Sequence, residues 1–181
     1  MNLKVIGWLL WSLWIGGGVG LKEVPVSENL YDLVTGSQRV PAKKLSGKIL
    51  RVIDGDTFVF QTAEGSLKVR LDGIDAPELK QPFGLESSSF LKGYLYKKAL
   101  LESKGVDRYG RTLGVLFVEG TNINLQLVEK GYAWHFKKYS HNKALAKAEV
   151  RARKAKLGLW RKGTAVAPWE WRSMQKQKKR E

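Results

Sequence analysis

The stretch VIDGDTFVFQTAEGSLKVRLDGIDAPE, residues 52–78, alternates short runs of Val, Phe and Leu with the turn signals DGD and AEG. Short β-branched and aromatic runs bounded by Gly and Asp read as strands. With LSGKILRVI (45–53) in front, TFVFQT (57–62) and SLKVRLDGI (66–74) complete three strands in succession, a meander. Gly65 supplies a positive φ angle in the hairpin loop between the second and third. The same stretch concentrates acid. Asp54, Asp56, Glu64, Asp72, Asp75 and Glu78 are six of the 17 acidic residues in the chain. Carboxylates held close repel one another unless something positive stands among them.

Composition narrows what that something is. The 181 residues include 32 Lys and Arg, for a net charge of +15, which favours polyanionic partners such as nucleic acid or an anionic membrane surface. At 43% hydrophobic and 10% aromatic, the chain has the material for a real core. It has no cysteine, which excludes disulfides, thiolate-bound zinc and thiol catalysis. Its two histidines, His135 and His141, are too few for a His-rich metal site and read as structural or surface groups. A metal here is therefore a hard cation held by oxygen, and a general base is a carboxylate.

Outward from the meander, residues 1–20 are a basic start followed by an apolar run and small residues. They read as a secretory signal or as a retained membrane anchor through residues 5–20. Either places the rest of the chain outside the cytoplasm, secreted or anchored. Residues 21–44 read as a linker. Beyond the meander, GLESSSFLKGYLYK (84–97) has helical spacing interrupted by Gly93. KALLESK (98–104) is ambiguous between helix and strand. TLGVLFVEG (112–120) is a strand, and INLQLVEKG (123–131) a short helix stopped by Gly131. HNKALAKAEVRARKAKLG (141–158) is a helix with Gly158 expected just past its end. Residues 162–181 read as a basic tail, either a solvated or disordered extension or an accessory contact to phosphates. In sum, the pattern is an α+β domain over residues 45–161: a small closed barrel of about five strands with three helices.

Asp56 follows a tight turn, and Asp75 and Glu78 follow the third strand. If those strand ends lie side by side, three carboxylates converge at one rim, where Ca²⁺ would relieve their repulsion. Arg70 shares the strand with Asp75, and Arg111 arrives from DRYGR (107–111). Guanidinium forks beside a carboxylate-bound cation suit a phosphodiester. Asp54 reads as capping its own turn, and Asp72 and Glu64 as solvated.

VIDGDT, VRLDGIDAPE and DRYGR together resemble the staphylococcal (micrococcal) nuclease family, and LVEKGYAW with KAEVRARKAKLGLW resembles its C-terminal helices. The resemblance implies an OB-fold five-stranded β-barrel with three α-helices. It also implies a Ca²⁺-dependent phosphodiesterase that cleaves DNA and RNA, leaving 3′-phosphate ends, and works as a monomer. Matched position by position, Asp56 and Asp75 are the metal carboxylates, and Ala76 gives its main-chain carbonyl where the type member has threonine. Glu78 activates or positions water, Arg70 and Arg111 clamp the phosphate, and Tyr109 contacts nucleotide. Around AWHFKKYS the chain departs from the family pattern, which leaves Trp134, Phe136 and Tyr139 without a role. The rival reading is a binding module of the same fold that has lost catalysis. Such a module would lack at least one of Asp56, Arg70, Asp75, Glu78 and Arg111, and all five are present.

Overall fold

The computed structural model describes residues 43–180. The expected signal or anchor and nearly all of the expected linker lie outside the described residues. Among the described residues, no helix is long and apolar enough to cross a membrane.

The meander forms as its alternation dictates. Strand β1 (Lys43–Val52) pairs antiparallel with β2 (Thr57–Thr62), and β2 with β3 (Gly65–Leu71). Phe58 and Phe60 of β2, and Val69 and Leu71 of β3, point inward and are fully buried, while Lys68 and Arg70 point outward. Gly65 takes the positive φ expected of it, 136°. The ambiguous segment is a strand, β5 (Lys98–Val106), paired with β1 on one side and with β6 (Thr112–Val118) on the other. A parallel pairing of β3 with β6 then closes the order β3-β2-β1-β5-β6 into a five-stranded barrel. Closure removes the free edges that an open sheet would expose. Two short strands, β7 (Thr121–Asn122) and β8 (Trp134–His135), add to β6 and to β4 (Ile74–Asp75) respectively.

Helices seal the barrel. Helix α1 (Gly84–Lys92) ends at Gly93 and buries Leu91; α2 (Ile123–Glu129) buries Ile123, Leu127 and Val128; α3 (Lys143–Lys154) buries Leu145 and Ala148. Asn122 and Asn142 cap α2 and α3 with their side-chain oxygens. Buried Asn124 knits the closure together. Its Oδ1 accepts from Leu116 N at 3.0 Å, and its Nδ2 donates to the carbonyls of Asp72 (2.9 Å) and Gly114 (3.2 Å).

Three expectations need correction. Helix α3 ends before Gly158: Lys156 takes the left-handed position (φ 53°), with Leu157 N bonded to Ala152 O and Lys156 N to Arg153 O. Gly158 instead opens a 3₁₀ turn (Gly158–Lys162) that passes so close to Gly131 that a Cβ on Gly158 would sit 2.2 Å from the Gly131 carbonyl. Asp72 is not merely solvated, since Lys104 pairs with it at 2.8 Å. The third correction is the largest. Among the described residues there are four α-helices, because Pro168–Lys178 of the expected tail is helix α4. Pro168 at its first turn and Glu170, which accepts from Ala167 N at 3.4 Å, start it. Trp169 docks it, stacked on Phe136 at 5.3 Å and 7° and meeting Trp134 edge-on.

Candidate active site

The DGD turn is pinned to the end of β3. Asp54 closes the turn on itself, its Oδ1 accepting from Asp56 N at 3.0 Å. Leu71 N donates to Asp56 O at 2.8 Å, which brings the start of β2 beside the end of β3. Gly55 permits the fit, because a Cβ there would lie 2.1 Å from Ser87 Oγ and 2.7 Å from Ala76 Cβ. The Asp56 side chain, almost fully buried, accepts from Thr57 Oγ1 at 2.9 Å and from Ala76 N at 2.9 Å.

Arg70 points outward from β3 and curls over this rim. Its Nη2 lies 2.7 Å from Asp75 Oδ1 and 3.4 Å from Asp56 Oδ2, and its Nη1 donates to Ile74 O at 3.1 Å. Arg70 thus pairs with both Asp56 and Asp75. Against burial, which works the other way, Asp56 and Asp75 hold the Arg70 guanidinium above its usual value. Burial pushes the Asp75 carboxyl up against the opposing pull of its arginines. Burial, and then the charge of Asp56, push Asp54 up to about 7.

Glu78 joins the cluster through a residue that the sequence reading missed. Arg172, from α4, donates through Nη2 to Asp75 Oδ2 at 2.7 Å and through Nη1 to Glu78 Oε1 at 2.8 Å. Asp56, Asp75 and Glu78 are therefore linked to one another through the guanidinium groups of Arg70 and Arg172. Among the described residues, no three acidic or histidine groups stand close enough to form a metal cage by themselves. The signal for Arg172 lay in APWEWR (167–172), where Pro and Glu open a helix whose next turn carries the arginine.

Arg111 and Tyr109 form a neighbouring group. Arg111 immediately precedes β6, two residues before Leu113, the register partner of Arg70. Its guanidinium pairs with Asp107 of its own turn, at 2.7 Å from Nη2 and 2.8 Å from Nε, and lies 5.6 Å from the Tyr109 ring. N–H groups of Arg111 and Tyr109, acting against burial, hold Asp107 below the usual carboxylate range. Tyr109 is 67% exposed, and the Arg108 guanidinium lies 4.8 Å from its ring. Of the unassigned aromatics, Trp134 is buried against Trp160, Phe136 lies under both Trp169 and the Arg70 guanidinium, and Tyr139 is exposed. His135 is buried with its Nε2 3.2 Å from Ser140 Oγ, which is a structural position, and His141 is exposed.

A family model described as staphylococcal nuclease homologue matches residues 68–162. The chain is 40% identical over 136 residues to an uncharacterized endonuclease of Haemophilus influenzae, covering 74% of this chain and 76% of that protein. It is 36% identical over 142 residues to a micrococcal nuclease of Shigella flexneri, covering 72% and 82%. A probable staphylococcal-like nuclease of rice (Oryza sativa subsp. japonica) is 38% identical over 110 residues, 60% of this chain and 30% of that protein.

Proposed function

This chain belongs to the staphylococcal nuclease family and is a nuclease, and we propose that it hydrolyses DNA and RNA with Ca²⁺ as its metal, leaving 3′-phosphate ends. The observation that carries this reading is the Asp56–Arg70–Asp75 arrangement. Two almost fully buried carboxylates share one guanidinium nitrogen at the barrel rim.

The donor chemistry fits a hard divalent cation. Asp56 and Asp75 offer oxygen alone, and among the described residues no hydrogen-bond donor reaches the Ala76 carbonyl beside them. Those three groups would hold the ion, with waters completing the shell of six to eight oxygens that Ca²⁺ takes. When bound, such a cation supplies neutralisation of phosphate charge and polarisation of a phosphoryl oxygen.

The chain's own residues then divide the remaining work. Arg70, rigidly held, and Arg111, oriented by Asp107, present guanidinium groups to the phosphate, where charge builds on the equatorial oxygens during in-line attack. Glu78 takes or directs the proton of the attacking water, a contribution of about 10²–10⁴-fold in general-acid–base catalysis. The exposed Tyr109 ring offers a stacking face to a nucleotide, and the excess of Lys and Arg recruits the polyanion with salt-dependent affinity.

Incubating the purified protein with single-stranded DNA or RNA, in Ca²⁺ or in chelator, tests the reading. Cleavage that requires Ca²⁺, disappears in Asp56→Asn, falls steeply in Arg111→Ala and yields phosphatase-sensitive 3′ ends supports it. Undiminished cleavage in chelator would falsify the calcium assignment. The apolar run at residues 5–20 supports export of the enzyme, cleaved or anchored. N-terminal sequencing of the extracytoplasmic protein separates the two.

A further inference from the structure

Arg172 stands beyond the segment that matches the family model, residues 68–162, yet it binds two of the three rim carboxylates, at 2.7 and 2.8 Å. We propose that Arg172 is a positioning residue of the nuclease: its fork fixes the Glu78 carboxylate against Asp75, making helix α4 part of the working site. The inference rests on the roles given above to Asp75 and Glu78.

The geometry argues it in three steps. The Glu78 side chain is 40% exposed and sits on a loop, so without a partner it would sample several rotamers. A group that must direct a proton has to be held within about 0.5 Å of its working geometry by neighbours that are themselves locked. Arg172 gives that hold: Nη2 binds Asp75 Oδ2 at 2.7 Å, while Nη1 binds Glu78 Oε1 at 2.8 Å and lies 3.4 Å from Asp75 Oδ1. Against burial, those two carboxylates raise the Arg172 guanidinium above its ordinary value, so it stays charged.

A second, independent connection ties the same two parts together. The buried Gln81 side chain accepts from Glu78 N at 3.2 Å and donates to Val166 O at 2.7 Å, and Gln81 N donates to Glu78 O at 2.8 Å. The backbone of Glu78 and the entry to α4 are thus held by one amide. Trp169, stacked on Phe136, anchors the first turn of α4, and Arg172 follows three residues later on the same helical face. Arg172 is therefore placed by the fold at both ends, which a chance surface ion pair would not be.

The arrangement predicts opposite effects on binding and turnover. A carboxylate has about four lone-pair sites, so Asp75 can keep Arg172 and still offer oxygen to a cation. The guanidinium charge beside it nonetheless weakens that cation's binding. Removing it should leave Ca²⁺ bound at least as tightly while the chemical step slows.

The test compares full-length wild type, Arg172→Met and Arg172→Lys. Calorimetry measures Ca²⁺ binding, a single-stranded DNA assay gives kcat and KM, and thermal melting checks folding. For Arg172→Met we expect kcat to fall by about 10–100-fold, KM to change little, and Ca²⁺ affinity to hold or rise. Free guanidinium should recover part of the lost kcat. Arg172→Lys, which keeps the charge without the fork, should fall between the two and covers the case in which the Met variant fails to fold. Wild-type kcat in Arg172→Met, a higher kcat, or a loss that follows the unfolded fraction would each overturn the proposal. If wild type itself shows no Ca²⁺-dependent cleavage, the calcium reading falls and takes this inference with it. An active wild type with an unaffected Met variant overturns the inference alone.

Discussion

Two arginine–aspartate pairs flank the proposed site at the same 2.7 Å separation, and they are not equivalent. Arg70 and Asp75 are 13% and 1% exposed, with Asp56 and the Ile74 carbonyl also in contact with the guanidinium. Arg111 and Asp107 belong to one turn, four residues apart, and are 23% and 15% exposed. The distance alone would score them alike. What separates them is what remains when the arginine goes: at the rim, a buried Asp56 with no counter-charge and an Asp75 left to Arg172 alone; at the turn, groups that water can reach. The first pair ties the end of β3 to β4 and, through Asp56, to the turn before β2, whereas the second aims a side chain.

The largest effect should come from Arg70→Met. Breaking a buried pair costs about 3–5 kcal/mol, so urea unfolding should show a loss of that order alongside the loss of cleavage. If Arg70→Met proves as stable as Arg111→Met, the contrast is wrong. Arg111→Ala should lower kcat by about 10²–10³-fold, the usual scale for one transition-state donor, while moving stability by less than about 1 kcal/mol. Its melting curve should nearly overlay that of wild type. Asp107→Asn should move stability by no more than that and lower kcat less than Arg111→Ala, since the guanidinium stays and only its aim is loosened. Equal losses in the two variants would mean that Asp107 itself touches substrate.

A last, smaller effect sharpens the contrast through pH. His135 lies on β8, paired with the strand that carries Asp75. Burial lowers its pKa despite the attraction of Glu149, with Lys137 and His141 adding to the lowering. The folded state therefore binds less proton at His135 than the unfolded chain does. Stability should fall as pH drops below the ordinary histidine value of about 6.5, by at most about 1.4 kcal/mol per pH unit from this one group. Subtracting the curve of His135→Gln from that of wild type isolates the group. A difference that is flat between pH 7 and 5 would show that His135 is not held neutral by the fold.

Much of this was legible before any coordinate. The alternation of Phe58 and Phe60, then Val69 and Leu71, names the inward faces because strand periodicity is local. The DGD and AEG turns are local too. KALLESK was not legible: Lys98–Val106 is a strand because β1 and β6 lie on either side of it, and a short apolar run carries no period of its own. The end of α3 was misplaced for a related reason. A left-handed residue closes the helix, but the fold gives that position to Lys156 and reserves Gly158 for its close approach to Gly131.

The site divides along the same line. The sequence by itself determined the donor chemistry: with no cysteine and two histidines, acids gathered in a basic chain point to a hard cation and phosphate, and motif spacing named Asp56, Arg70, Asp75, Glu78 and Arg111. Only the tertiary structure decided how they are shared out. It set guanidinium groups between the carboxylates, gave Arg111 to its own turn, and brought Arg172 from the far end of the chain onto Asp75 and Glu78. The physical reason is that side-chain chemistry and strand period are written residue by residue. A long-range ion pair, by contrast, exists only once barrel closure and the docking of Trp169 have fixed where two remote backbones meet.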